Sequence, residues 1–181
     1  MRELTLLGIS GSLRKGSYNT MLVKEAMRLF EPDRFVLGDI RMPLYDGDLE
    51  DESGMPEAAT ILRQQMLDAD AVVIATPEYN KNLPGGLKNA LDWVSRKSPM
   101  ALYGKPVAIV SAAGWTGGAR AQYSLRHCLT AFNPRVLQGP EVLIANASNA
   151  FGPDGTLSNA QSTGFLKQLM DGLKAEALRG S

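Results

Sequence analysis

The chain has 181 residues and a formal net charge of zero, with 19 lysines and arginines against 19 aspartates and glutamates. This balance argues against a strong attraction to nucleic acid or to an anionic membrane surface. Apolar residues make up 44% of the chain, enough for the core of one domain, and we predict a single domain over residues 1–181.

The N-terminal sequence MRELTLLGIS has too short an apolar run for a signal peptide, and no run approaches the roughly 20 residues of a membrane span. We therefore expect a cytoplasmic protein, in keeping with a single cysteine that cannot form an intrachain disulfide. One histidine and one cysteine leave a structural zinc site without ligands, so no metal site is predicted. Residues 179–181 are expected to form a disordered tail.

Short apolar runs alternate with amphipathic stretches along the chain. Strands are predicted at residues 4–10, 34–40, 70–76, 105–114 and 135–144, the last interrupted at Gly139-Pro140. Helices are predicted at residues 19–30 (with Asn19 as its cap), 57–68, from about 84 or 85 onward, 118–132 and 159–178. The acidic stretch between residues 39 and 56 is predicted to be a solvated loop.

This βαβα alternation favours a parallel sheet with helices on both faces. Five strands fit the doubly wound, flavodoxin-like order 2-1-3-4-5, in which ligands bind beyond the carboxyl ends of the strands where the winding reverses. The fold class predicted is therefore α/β, with a ligand site between the loops that follow the first and third strands.

The segment GISGSLRKGSYNT, residues 8–20, follows the first strand and leads into a helix. Its backbone N–H groups and the helix dipole favour an anion. Arg14 and the polar side chains of Ser12, Ser17, Asn19 and Thr20 can donate hydrogen bonds to phosphate oxygens. Gly11 and Gly16 have the spacing of a P-loop, but Ser17-Tyr18 replaces its lysine and hydroxyl residue. A phosphomonoester such as that of FMN fits better, and an ordinary serine-rich loop is the alternative.

Two further loops are predicted at the same edge of the sheet. The loop of Pro77–Asn80 follows the third strand, and its backbone amides with Pro77 and Tyr79 can supply the edge and wall for a flat ring, although read alone it is only a turn. The segment SAAGWTGG, residues 111–118, ends the fourth strand. Its Trp115 is interpreted as a lid, a subunit contact or a packed core residue.

The segments GSLRKGSYN, TPEYNKNLPGGLKNALDW and GGARAQYSLR together resemble the NAD(P)H-dependent FMN reductase family over roughly residues 4–145. This flavodoxin-like group includes quinone, chromate and ferric reductases. The resemblance implies FMN as cofactor, NADH or NADPH as hydride donor, and ping-pong transfer to quinones, chromate, ferric complexes or azo compounds. It also implies a homodimer or homotetramer with the flavin near a subunit boundary.

The same resemblance implies roles for individual residues. Phosphate contacts would come from Ser12, Arg14, Ser17 and Asn19, joined by Ser10 and Thr20. Isoalloxazine contacts, largely through the backbone, would come from Pro77, Glu78, Tyr79 and Asn80, with Ser111 and Gly114 on the other side of the ring. No side chain is nominated as strictly catalytic, because the flavin itself carries the hydride.

Several residues outside these loops have two interpretations. Arg96 and Arg120 are candidates to meet the phosphates of the pyridine nucleotide, but Lys88, Asp92 and Arg96 stand in i,i+4 steps that favour surface pairing. Cys128, next to His127 on a helix, does not face it and is predicted to be a buried apolar residue. The alternatives to an enzyme are a flavodoxin-type electron carrier and a nucleotide-binding regulatory domain, the latter disfavoured by the missing P-loop lysine.

Overall fold

A parallel β-sheet forms the centre of the protein, and the computed structural model describes residues 3–179. Its strands are β1 (Thr5–Ser10), β2 (Arg34–Gly38), β3 (Ala71–Ala75), β4 (Pro106–Ala112), β5 (Arg135–Val136) and β6 (Val142–Ile144). Its helices are α1 (Tyr18–Phe30), α2 (Gly47–Ser53), α3 (Glu57–Asp68), α4 (Gly85–Val94), α5 (Ala119–Leu129) and α6 (Ala160–Arg179). Short 3₁₀ turns follow α5 and β6, at Thr130–Phe132 and Ala147–Asn149.

The strands pair in the order β2-β1-β3-β4-β5, and every pairing is parallel. The predicted flavodoxin-like order is thus confirmed, with one difference at the edge. The predicted last strand is two short strands, β5 beside the start of β4 and β6 beside its end. Pro140, between them, has no N–H to give to a strand ladder, so pairing stops and resumes.

Helices cover both faces of the sheet because its central strands are apolar on both sides. All residues of β3 and β4 are buried, as expected for parallel strands between two helical layers. One apolar cluster joins one face of the sheet to α1 and α6, and a second joins the other face to α3, α4 and α5. No helix within residues 3–179 is long and apolar enough to cross a membrane.

The prediction of a solvated loop at residues 39–56 is wrong for Gly47–Ser53, which form α2. Asp46 caps this helix by accepting a hydrogen bond from the backbone N–H of Asp48. Glu50 then fixes the helix to the body of the protein, because its carboxylate accepts from Arg96 at 2.8 Å and from the Tyr45 hydroxyl at 3.0 Å. Arg96 lies outside the acidic segment, so the composition of that segment could not reveal this contact.

Three smaller predictions also need correction. The cap of α1 is Ser17 rather than Asn19, since Ser17 Oγ accepts from the backbone N–H groups of Asn19 and Thr20. Cys128 is half-buried rather than buried, and burial raises the pKa of its thiol. Arg179 is the last residue of α6, while residues 180–181 of the predicted tail lie outside the described residues.

Candidate functional site

A cavity of about 350 Å³ opens at the carboxyl ends of β1, β3 and β4, where the three predicted loops meet. Its volume lies within the range of small-molecule and cofactor sites. Its lining residues come from four loops: Ser12, Arg14, Ser17, Tyr18, Asn19, Pro77, Glu78, Tyr79, Ala112, Ala113, Gly114, Asn146, Ala147 and Ser148.

The first loop, residues 11–17, turns back over the sheet edge and delivers the N-terminus of α1 to the cavity. Gly11 allows this path, because its N–H donates to the Ala75 carbonyl at 2.7 Å and a Cβ there would stand 3.2 Å from Pro77. Ser17 caps the helix, and no acceptor within residues 3–179 takes the N–H of Gly16 or of Ser17 itself. Free N–H groups at a helix N-terminus form a favourable environment for an anion.

The six candidate phosphate residues lie on two sides of this loop. Ser12, Arg14, Ser17 and Asn19 line the cavity. Ser10 and Thr20 instead line a second cavity of about 310 Å³, beyond the ends of β1 and β2, and the Thr20 hydroxyl donates to Ser10 Oγ at 2.9 Å. Ser12 and Arg14 border both cavities.

The second loop follows β3 and ends in a tight turn. The backbone N–H of Tyr79 donates to the carbonyl of Asn82, the N–H of Asn82 donates back, and both bonds are 3.0 Å long. Asn80 and Lys81 at the tip have φ of 51° and 65°, as a two-residue primed turn requires. Pro77, Glu78 and Tyr79 therefore line the cavity, while Asn80 is exposed at the turn tip.

Glu78 has more than the backbone role expected for it. Its side chain is only 10% exposed, and its carboxylate accepts from the backbone N–H of Arg120 at 3.2 Å and from Arg120 Nη1 at 3.4 Å. The Thr116 hydroxyl also donates to it at 3.5 Å. Helix α5 has Gly118 at its N-cap and no side-chain cap of its own, so Glu78 supplies a carboxylate to that helix from the neighbouring loop.

The two arginines proposed for a pyridine nucleotide are both engaged within the protein. Arg120 pairs with Glu78, and Arg96 pairs with Glu50 rather than with Asp92. The Arg96 hydrogen bond holds the pKa of Glu50 below its usual value. Lys88 and Asp92 do form the expected i,i+4 pair, at 2.6 Å.

The third loop presents Ala112, Ala113 and Gly114 to the cavity. Ser111, predicted to approach the ring, is fully buried behind them. Its hydroxyl donates to the Gly117 carbonyl at 2.5 Å and accepts from Gln122 at 2.8 Å. Trp115 is 88% exposed, which excludes the interpretation as a packed core residue.

A fourth wall, which the sequence analysis missed, follows β6. The N–H of Asn146 donates to the Gly114 carbonyl and that of Ala147 to the Ala113 carbonyl, both at 3.0 Å. These bonds bring residues 146–148 to the cavity. The available signal was positional, since β6 ends at the same edge of the sheet as β1, β3 and β4.

The sheet is doubly wound, and an anion-favouring loop borders a cavity lined by small residues and two tyrosines. These features define a flavodoxin-like protein with a site suited to a flavin nucleotide. Comparison with known proteins narrows this class. Residues 4–149 match the family model described as NADPH-dependent FMN reductase. The chain therefore belongs to that family.

Individual relatives agree with this assignment. The chain is 43% identical to a Pseudomonas aeruginosa protein named NAD(P)H-dependent FMN reductase, over 98% of each chain. It is 42% identical to an Escherichia coli protein named quinone reductase, over 83% of this chain and 82% of that one. Among solved structures, the flavoenzyme NAD(P)H:(acceptor) oxidoreductase FerB of Paracoccus denitrificans superposes with a TM-score of 0.86 at 32% identity, covering 97% of this chain and 98% of that one.

Proposed function

We propose that this protein is an FMN-dependent NAD(P)H oxidoreductase whose electron acceptors are quinones. The observation that carries the proposal is the single cavity in which the first, second and third loops meet. Support for the acceptor comes from the relative named quinone reductase. Chromate, ferric complexes and azo compounds remain predictions.

The first loop fits the phosphate of FMN. Ser12 and Ser17 offer hydroxyl groups, and Arg14 offers a guanidinium that can pair with two phosphate oxygens. The adjoining backbone N–H groups of Gly16 and Ser17 have no acceptor within residues 3–179. In the whole cavity lining the charged side chains are Arg14 and Glu78, and the Glu78 carboxylate is turned to Arg120. The phosphate therefore meets a cation and a helix N-terminus without a facing free carboxylate.

The rest of the cavity fits the ring. Pro77 and Tyr79 form one wall, and Ala112, Ala113 and Gly114 form another that has little side-chain bulk. The Tyr79 N–H donates within its turn, so we assign the ring-edge contact of the second loop to the N–H group of Glu78. Small residues at positions 112–114 leave room for the nicotinamide or the quinone beside the ring.

When bound in this cavity, FMN would supply the hydride and electron-transfer chemistry between NAD(P)H and the acceptor. The protein itself binds the phosphate, holds the ring and keeps one face open to exchange donor for acceptor. None of the residues lining the cavity is proposed as a nucleophile or a proton donor. We also propose a cytoplasmic location, and a homodimer or homotetramer as the family resemblance implies. A sedimentation measurement checks the oligomeric state.

The test is an anaerobic spectrum of the protein loaded with FMN. The visible flavin absorbance is expected to bleach on addition of NADH or NADPH and to recover when a small benzoquinone follows. Initial rates are expected to give the parallel lines of a ping-pong reaction. A protein that binds FMN but is not bleached by either nucleotide is the electron carrier instead, and intersecting initial-rate lines would contradict sequential use of one open face.

A further inference from the structure

Asn19 sits in the first turn of α1, beside the phosphate-binding loop, yet its side chain is only 3% exposed. Its amide reaches across 93 residues of sequence to the peptide group of Ala112, the last residue of β4. Asn19 Nδ2 donates to the Ala112 carbonyl at 2.8 Å, and the Ala112 N–H donates to Asn19 Oδ1 at 3.0 Å. Both bonds are buried and short enough to be strong.

This amide takes the place of a missing strand. The register of β3 with β4 ends at Ala75 opposite Val110, so β4 continues to Ala112 without a partner from β3. On the other side, β6 accompanies β4 to its last residue. The side chain of Asn19 offers the same donor and acceptor pair as a neighbouring strand, and it satisfies a peptide group that burial would otherwise leave unpaired.

The bond pair joins the two halves of the candidate site. Asn19 lies two residues after Ser17, at the start of the helix that follows the phosphate loop. Ala112 leads into Ala113 and Gly114 at the ring wall. With Oδ1 and one proton of Nδ2 already engaged, the amide has one donor left, and its orientation is fixed by a donor and an acceptor at once. A contact to phosphate would use at most that remaining proton.

We infer that Asn19 is a positioning residue, which sets the distance between the phosphate loop and the loop after β4, rather than a phosphate ligand. This inference rests on the proposed function, because it concerns how the same cavity holds a flavin. It predicts how a variant at position 19 binds flavins with and without a phosphate. Loss of the Asn19 amide should weaken the binding of riboflavin, which has no phosphate, as much as the binding of FMN.

The experiment compares both flavins on apoprotein, by titration with fluorescence detection, for wild type, Asn19→Ala and Arg14→Ala. Asn19→Ala is expected to raise the dissociation constants of FMN and riboflavin by a similar factor, roughly tenfold, the scale of a lost buried hydrogen-bond pair. Arg14→Ala is expected to weaken FMN alone. The visible circular dichroism of bound FMN should also change in Asn19→Ala, because the ring wall has moved.

Lys174→Ala is the matched control for a general loss of stability. Lys174, on α6, donates to the carbonyls of Phe30 and Glu31 at 3.0 and 3.1 Å. These two residues are at the C-terminal end of α1, the end of that helix opposite to Asn19. Replacement of Lys174 should lower the melting temperature without changing either flavin affinity. If Asn19→Ala does not fold, Asn19→Asp keeps an acceptor for the Ala112 N–H and loses the donor. That variant is titrated with riboflavin, which carries no phosphate to repel the new charge, and weaker binding is expected.

The outcomes separate the two proposals. A variant at position 19 that loses FMN affinity but keeps that for riboflavin would make Asn19 a phosphate ligand and overturn the inference. Unchanged affinity for both flavins would overturn it as well. Wild-type protein that binds neither flavin would instead contradict the proposed function, whatever the variants do.

Discussion

Replacement of Arg14 by alanine tests the phosphate end of the site. Arg14 is the cation that lines the cavity of the candidate site, which is called the site cavity below. It lies in the first loop, just before the N-terminus of α1. A hydrogen bond to a charged group contributes about 1.5–3 kcal/mol. At about 1.4 kcal/mol per factor of ten, Arg14→Ala should weaken FMN binding by roughly 10- to 150-fold.

Lys15→Ala is the matched control, because it removes the same charge from the next residue. Lys15 lines the second cavity but not the site cavity. We expect its effect to be small at low ionic strength and to vanish at high salt, since an exposed charge at a distance is screened. Isothermal titration of apoprotein with FMN at two salt concentrations measures both variants. If Arg14→Ala and Lys15→Ala lose the same FMN affinity, a direct contact between Arg14 and the phosphate is refuted. The effect would then come only from the overall positive charge of the loop.

Three further changes test how the site is held. Glu78→Ala removes the carboxylate that caps α5 from the neighbouring loop and should lower the free energy of unfolding by about 1 kcal/mol, as other lost caps do; an unchanged urea midpoint would argue against this cap. The Arg96 hydrogen bond lowers the pKa of Glu50, so this pair stabilises the fold above the ordinary carboxyl pKa and loses its effect as pH falls through the lowered value. Melting temperatures of wild type and Glu50→Gln should therefore differ at pH 7 and converge in acid, and a constant difference would contradict the pairing. Gly8→Ala would put a Cβ 2.4 Å from Val23 Cγ1, between β1 and α1, and should lower the free energy of unfolding by about 1–3 kcal/mol. Gly16→Ala, whose Cβ would have no atom within 4 Å, should leave that free energy nearly unchanged. Equal melting temperatures for the two variants would exclude this close packing of β1 against α1.

The sheet and the position of the site follow from pattern. The runs that form β3 and β4 are apolar throughout, and such runs alternating with helices leave few topologies other than a doubly wound parallel sheet. Because parallel strands end at one edge, the loops at residues 11–17, 77–80 and 112–118 had to meet there. The observed cavity is lined by all three.

The inward or outward direction of individual side chains did not follow from pattern. Ser111 and Ala112 are neighbours on a strand and point to opposite sides, so an error of one residue exchanges a cavity wall for the core. Asn19 has its partner 93 residues away, and Glu50 has Arg96 46 residues away. No local sequence signal reports such partners, which is why the contact between Asn19 and Ala112 was not predicted and α2 was predicted to be a loop.

A crystal structure of the protein with FMN tests the central claim most directly. We expect the phosphate within hydrogen-bond distance of Ser12, Arg14 and Ser17, and the ring between the second loop at residues 77–79 and the third loop at residues 112–114. Density for the flavin in any other cavity, or a phosphate that leaves the first loop untouched, would contradict the account.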